Sequence, residues 1–326
     1  MKKLIALLMV SAMILTFFTF TGCKKEEPTL KLGLGVYTTV TASDATADKA
    51  GQGQASVTAA AVLVDDEGKI VKAFIDCADN KVGYTADGKA VANESFKTKY
   101  ESGKDYNMVA YGGATKEWFE QADAFCALIV GKTAAEVKAL VASDNKGTQE
   151  VINAGCTIEV VEFANAVDKA ISNATASTAT KDDTLKLGVS TAQTTNDATE
   201  DKAGSNKVET TLFAAAVNAE GKVVAATSDS VEVSFTFDTA GKSTFDTTKE
   251  VLSKKQKGDS YGMKSEYGSK KEWYEHAAAF DAACIGKTAS EIAGLADTSG
   301  KVGADLQAAG CTINVSGFVK AASKIG

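Results

Sequence analysis

The chain is written twice, and that duplication constrains its fold more than any other feature. Asp44-Ala45-Thr46-Ala47-Asp48-Lys49-Ala50-Gly51 returns 153 residues later as Asp197-Ala198-Thr199-Glu200-Asp201-Lys202-Ala203-Gly204. Lys116-Glu117-Trp118-Phe119-Glu120 returns at an offset of 155 as Lys271-Glu272-Trp273-Tyr274-Glu275, and Ala154-Gly155-Cys156-Thr157-Ile158 also recurs at 155. A period of that size is too long for a solenoid unit of roughly 20–50 residues. It suits an ordinary domain of about 100–150 residues. Each copy is therefore expected to fold alone, and a site carried by one copy should recur in the other. The expected division is 1–22 signal peptide, 23–29 tether, 30–172 first repeat domain, 173–184 linker and 185–326 second repeat domain.

The address is legible at the N-terminus. Lys2 and Lys3 precede an almost wholly apolar run from Leu4 to Phe20, which ends in Phe20-Thr21-Gly22-Cys23. Small residues before a cysteine resemble the lipobox of bacterial lipoproteins, with Phe20 where leucine is usual. The resemblance implies that Cys23 becomes a lipid-modified, palmitate-bearing N-terminus on the extracytoplasmic side of the cell membrane. Lys24-Lys25-Glu26-Glu27-Pro28 then reads as a solvated tether. A short transmembrane helix or an ordinary secretory signal are the alternatives for such a run.

Charge narrows the partners. The formal net charge is −7, and loss of Lys2 and Lys3 leaves −9. Nucleic acid is not expected as a partner, because neutralising phosphates needs a basic patch. Cys77, Cys126 and Cys156 in the first copy and Cys284 and Cys311 in the second leave two readings open: one disulfide per copy, or buried thiols. A single histidine, His276, and the lack of CxxC pairs argue against a transition-metal site.

Each copy opens with β signals and closes with helices. Strands are expected at Leu30–Val36 and Leu185–Val189, Ala55–Val64 and Val208–Val217, and Ile70–Ile75 and Val223–Ala226, the last two joined by Gly-bearing turns. Further strand-turn pieces are expected at Val82–Lys89 and Val233–Lys242. Trp118, Ala122, Phe125 and Ile129 then form one helical stripe, repeated by Trp273, Ala277, Phe280 and Cys284. Thr133-Ala134-Ala135-Glu136 and Thr288-Ala289-Ser290-Glu291 are capping-box starts. A strand at Thr157–Val161 and a helix at Glu162–Asn173 complete the copy. The expected class is α+β, an antiparallel β meander followed by helices in each of two tandem homologous domains.

No nucleophile-base constellation is present, so an enzyme is not expected. The two Asp-Ala-Thr-x-Asp-Lys-Ala-Gly loops offer Asp44 and Asp48, and Asp197 and Asp201, as oxygen ligands for a hard cation such as Ca2+. Their alternative is an Asx-turned surface loop. Tyr106, Met108 and Trp118, matched by Tyr261, Met263 and Trp273, are the candidates for a flat ligand pocket beside a helix N-terminus. Filling the core is their alternative role.

The run from Val57 through Asp65-Asp66-Glu67-Gly68-Lys69-Ile70-Val71 resembles the central hairpin of bacterial FMN-binding domains of envelope electron-transfer proteins, and Leu212 to Val224 echoes it. The resemblance implies FMN as cofactor and a redox partner. Gly112-Gly113-Ala114-Thr115 is similar to the acceptor motif of members that attach flavin covalently, with Thr115 at the flavin-bearing position. Copy two has Tyr267-Gly268-Ser269-Lys270 there, without an acceptor. Over its length the chain resembles two-copy envelope lipoproteins of Firmicute-type bacteria. The alternative function is a non-enzymatic ligand-binding or surface-structural, antigen-like lipoprotein.

Overall fold

Two long three-strand meanders dominate the protein, and each buries both of its faces. A computed structural model describes residues 29–326; the signal segment, Cys23 and nearly all of the tether lie outside the described residues. In the first copy β1 (Lys31–Ser43), β2 (Gly51–Val64) and β3 (Ile70–Tyr84) pair antiparallel, with the short β4 (Ala90–Val91) beyond β3. The helices are α1 (Lys99–Ser102), α2 (Trp118–Ile129), α3 (Ala134–Lys138), α4 (Gln149–Ala154) and α5 (Val161–Ser172). β5 (Thr175–Ala176) adds to the free edge of β1, giving the order β4-β3-β2-β1-β5. The second copy supplies β6 (Thr184–Asn196), β7 (Gly204–Val217) and β8 (Val223–Phe237) in the order β6-β7-β8. Its helices are α6 (Lys254–Lys257), α7 (Met263–Tyr267), α8 (Trp273–Cys284), α9 (Ala289–Ala293), α10 (Ala304–Ala308) and α11 (Ser316–Ala322). The class is α+β with antiparallel sheets.

Period-two alternation sorts each strand between two cores. On β2, Ala55, Val57, Ala59, Ala61 and Leu63 point to one face, and Ala60, Val62 and Val64 to the other. The second face packs beneath α2 and α5, with Trp118, Phe125, Phe163 and Val167. β7 behaves alike, sending Phe213, Ala215 and Val217 toward α8 and α11. Gly35 permits the close approach of α5, since a Cβ there would lie 2.0 Å from the Ala166 carbonyl oxygen; its counterpart Gly188 faces Ala321 at 1.9 Å.

The inner faces of the two sheets meet each other. Leu32, Leu34, Val57 and Leu63 share one core with Leu187, Val189, Leu212 and Val233. β1 lies over β8 and β3 over β6, as a two-fold exchange of the copies requires. The result is a helix-sheet-sheet-helix stack, and the expectation that each copy has a private core holds only for its outer, helix-covered face.

Three local expectations change. The pieces read as Ile70–Ile75 and Val82–Lys89 are one strand through Tyr84, as are their counterparts through Phe237. Asp76, Asp79 and Asn80 do not interrupt it, because their polar groups are paired: Asp76 accepts from the Cys77 and Tyr100 amides, Asp79 from the Ser56 hydroxyl, and Asn80 donates to Thr210 across the copies. Thr157–Val161 is not a strand; it contributes an isolated bridge, Lys146 with Glu159. The segment read as linker carries β5 and the fully buried Ala179, whose carbonyl accepts from the Leu30 amide.

Candidate functional site

Tyr106, Met108 and Trp118 come together around a cavity of about 280 Å3, and Tyr261, Met263 and Trp273 around a matching one of about 400 Å3. A buried carboxylate behind each cavity holds the methionine segment in place. Glu117 caps α2 from the position before its first residue; its side chain accepts from the Glu120 amide in a reciprocal capping box and also takes the Met108 amide at 2.9 Å. Glu272 does the same for α8, taking the Met263 amide at 3.0 Å. The left-handed Asn107 (φ 62) and Gly262 (φ 81) then turn the chain between the tyrosine and the methionine. Trp118 meets Phe163 edge-on at 5.6 Å, and Trp273 stacks on Phe318 at the same distance. Both indoles are nearly enclosed, whereas the tyrosines and methionines are half-buried.

A lysine completes each cavity, and residue patterning alone missed it. Lys99 Nζ lies 5.6 Å from the Tyr106 ring centre and 5.8 Å from that of Trp118. Lys254, at the equivalent position, lies 5.2 Å from Tyr261 and 5.6 Å from Trp273. A cation over an aromatic face is attracted by the ring quadrupole. Burial would lower the Lys99 ammonium, but Cys77, Tyr106 and Asp79 together raise it. Burial likewise opposes the charge of Lys254, and Glu209 at 2.5 Å more than restores it. Glu209 is in turn held below its ordinary value: burial pushes it up, and Lys254 and Ser230 outweigh that. The only sequence signal was the shared Lys at the start of a short capped helix, Thr98-Lys99 and Ser253-Lys254.

The remaining walls differ. Copy one presents Asp79, which accepts from Gln54 and Ser56, and Glu162, which accepts from Thr39 and Thr58. Glu159 lines the same cavity. In copy two Glu162 is replaced by Gly317 and Glu159 by Asn314, and Tyr267 joins the lining, while Ile313 and Phe318 repeat Ile158 and Phe163 of copy one. Copy one therefore sets three carboxylates against one ammonium in a small space, a field that repels phosphate. The FMN phosphate does not fit there. The copy-two cavity has the apolar walls and the size expected of a ligand pocket, about 300–1,000 Å3. Thr115 is exposed and does not line the copy-one cavity, so it is not placed to carry a ring into it.

The aspartates of the duplicated loop serve the contact between copies. Asp44 accepts from the Ser243 amide at 2.8 Å, and Asp197 from the Ala90 amide at 2.9 Å. Beside them the Ala45 amide donates to Gly241 and the Ala198 amide to Gly88, each at 2.8 Å. Asp197 also pairs with Lys89 at 3.4 Å. Asp48 and Asp201 are exposed. Among the described residues no cluster of three or more His, Cys, Asp or Glu is placed to hold a metal ion.

His276 occupies the place of Gln121. Its Nδ1 lies 2.9 Å from the Gly310 carbonyl and 3.3 Å from the Thr312 amide, while Gln121 accepts from the Thr157 amide. Burial holds the imidazole below its ordinary value, and the ring links the Gly310–Thr312 segment to Ser269, whose hydroxyl lies 3.3 Å from Nε2. No helix among the described residues is long and apolar enough to cross a membrane. Comparison with protein-family models, curated proteins and solved structures returns no match for the chain.

Proposed function

We propose that the chain is a lipid-anchored, extracytoplasmic binding protein of the bacterial envelope, built from two tandem homologous domains, with one small-molecule site in each. It acts by binding, without a catalytic step of its own. One observation carries the reading: the same Lys-Tyr-Met-Trp set closes around a cavity in both copies, while the surrounding polar walls differ. A duplicated site with divergent walls suits two related ligands better than two copies of one. The copy-two site suits a planar, largely apolar ring, which Tyr261, Met263 and Phe318 would contact. The isoalloxazine ring of a flavin is one such body. The copy-one site suits a smaller, hydroxyl-rich or cationic molecule that its three carboxylates can hold.

The two tryptophans of the chain, Trp118 and Trp273, lie one in each cavity. Mature protein purified from its native host is first scanned for flavin absorbance and acid-precipitated. Tryptophan emission is then followed during titration with FMN, riboflavin and a panel of sugars and amines, using Trp118→Phe and Trp273→Phe to separate the sites. Emission changes that vanish with one variant and persist in the other support the proposal and assign the ligand. A colourless protein whose emission answers to no member of the panel would instead favour a surface-structural lipoprotein, in which the lysine-ring contacts only complete the core.

A further inference from the structure

A cavity of about 880 Å3 lies apart from both ring-walled sites, between the copies. Leu32, Leu34 and Ala176 form one wall; Val224, Ala278 and Ile285 contribute to the other. Asp229, Lys255 and Asp281 stand at its polar end.

The two-fold exchange of copies defines what the equivalent region of copy one holds. There Phe74 packs on Tyr100 with ring centres 4.8 Å apart, and Tyr100 meets Phe119 at 6.0 Å. Copy two has Thr227, Lys255 and Tyr274 at those positions, and Tyr274 turns its hydroxyl to Asp259 at 3.0 Å. Asp123 and Cys126 are replaced by Ala278 and Asp281. An aromatic cluster in one copy is thus an open, apolar-walled groove with a charged end in the other.

The charges at that end do not balance. Asp229 and Asp281 are 3% and 7% exposed and face a single cation, Lys255. Lys255 Nζ donates to Thr227 at 2.9 Å and stands 3.7 Å from Asp281. Asp281 accepts from the Ser228 hydroxyl and amide, at 2.6 and 3.1 Å. Asp229 accepts from Ser253 at 2.6 Å and from the Lys255 amide at 3.1 Å. These hydrogen bonds hold both carboxylates in place but supply only one positive charge, and an uncompensated buried charge is costly. Burial accordingly pushes both carboxyls up. A second cation is the complement this end lacks.

We propose that the groove between the copies binds an amphipathic amine, with its ammonium at Asp281 and its hydrocarbon body along Leu32, Leu34, Ala278 and Ile285. The site is independent of the ring-walled cavities and holds no tryptophan, so its occupancy is read separately.

Three probes with one chain and three head groups test the idea on the full mature protein: n-octylammonium, n-octanoate and n-octanol, below their aggregation concentrations. Calorimetry should give octylammonium an affinity about tenfold or more above the other two, with a matching rise in Tm. Asp281→Asn should remove that preference and leave octanol unchanged. Thr227→Phe/Lys255→Tyr/Asp281→Cys, which installs the side chains that copy one has at these positions and removes the buried carboxylate together with its cation, should abolish binding of all three without lowering the urea midpoint. If the triple variant fails to fold, Ala278→Leu narrows the groove by a single residue and should weaken all three probes. A preference for octanoate, binding of none of the probes by the wild type, or octylammonium binding that survives both Asp281→Asn and Ala278→Leu would overturn the proposal.

Discussion

Tyr84 and Phe237 stack ring on ring, with centres 4.4 Å apart and 8° between their planes, although they are the same position in the two copies. Each ends the third long strand of its copy, and both are completely buried. The stack therefore marks where the two-fold relation passes between the sheets. Phe237→Ala should cost about 3–5 kcal/mol. A double-mutant cycle with Tyr84→Ala should return a coupling of about 0.5–1.5 kcal/mol, read from urea unfolding. Strict additivity would mean that the rings contribute only as separate core residues.

The shared inner core predicts that neither copy is stable as a free monomer. Residues 185–326 alone would expose Leu187, Val189, Leu212 and Val233 on one open sheet face. Exposed apolar areas of that extent drive association. Light scattering should find dimers or larger species, and a dye for apolar surface should bind. A monomeric, cooperatively folding fragment with no dye binding would show that the inner core is dispensable.

Asp44 and Asp197 are expected to act as staples between copies. Replacing either with Ala leaves an amide acceptor missing at the crossing loop and should cost about 0.5–1.5 kcal/mol. Calcium should not shift the wild-type Tm. A calcium-dependent rise lost in Asp44→Ala/Asp48→Ala would return these loops to metal binding.

Asp76 gives the protein a pH signature. Burial raises its carboxyl from 3.8 to about 6, against the hydrogen bonds it accepts near Thr98, Tyr100 and Cys77. The native chain thus holds this proton more tightly than the unfolded chain does. Its contribution is most favourable below pH ~4 and falls as pH rises toward ~6, by roughly 3 kcal/mol over that window. Asp229 and Asp281 carry the same sign. Asp76→Asn should become more stable relative to wild type as pH climbs from 4 to 7, a comparison made by urea unfolding at each pH. Parallel curves for the two proteins would refute it.

The five described cysteines are free and buried, which settles the alternatives their spacing left open in favour of thiols. Burial pushes Cys156 up to about 11 and Cys77 to about 12, so neither is a thiolate near neutrality. An aromatic disulfide reagent at pH 8 should leave all five unmodified in the native protein and label five after unfolding in urea. Fast labelling of one thiol in the native state would point to an opening of the helical layer.

The helix starts at Thr133 and Thr288 and the alternation along β2 were legible because they depend on neighbours one to four residues away. The pairing of Tyr106, Met108 and Trp118 was legible in outline because the duplication repeated it. Lys99 and Lys254 were not, since a lysine in a polar stretch reads as solvated until two elements distant in sequence bring rings against it.

By itself, the sequence determined that there are two copies, that each is antiparallel strands followed by helices, and which side chains alternate along each strand. Tertiary structure decided what covers those faces. An alanine- and valine-rich strand such as Ala55–Val64 is apolar on both sides, and periodicity states that a face must be buried without stating by what. Only the meeting of the two inner faces assigned Asp44 and Asp197 to the opposite copy and put Tyr84 on Phe237. The same meeting left, where Thr227 replaces Phe74, a groove that no single copy contains.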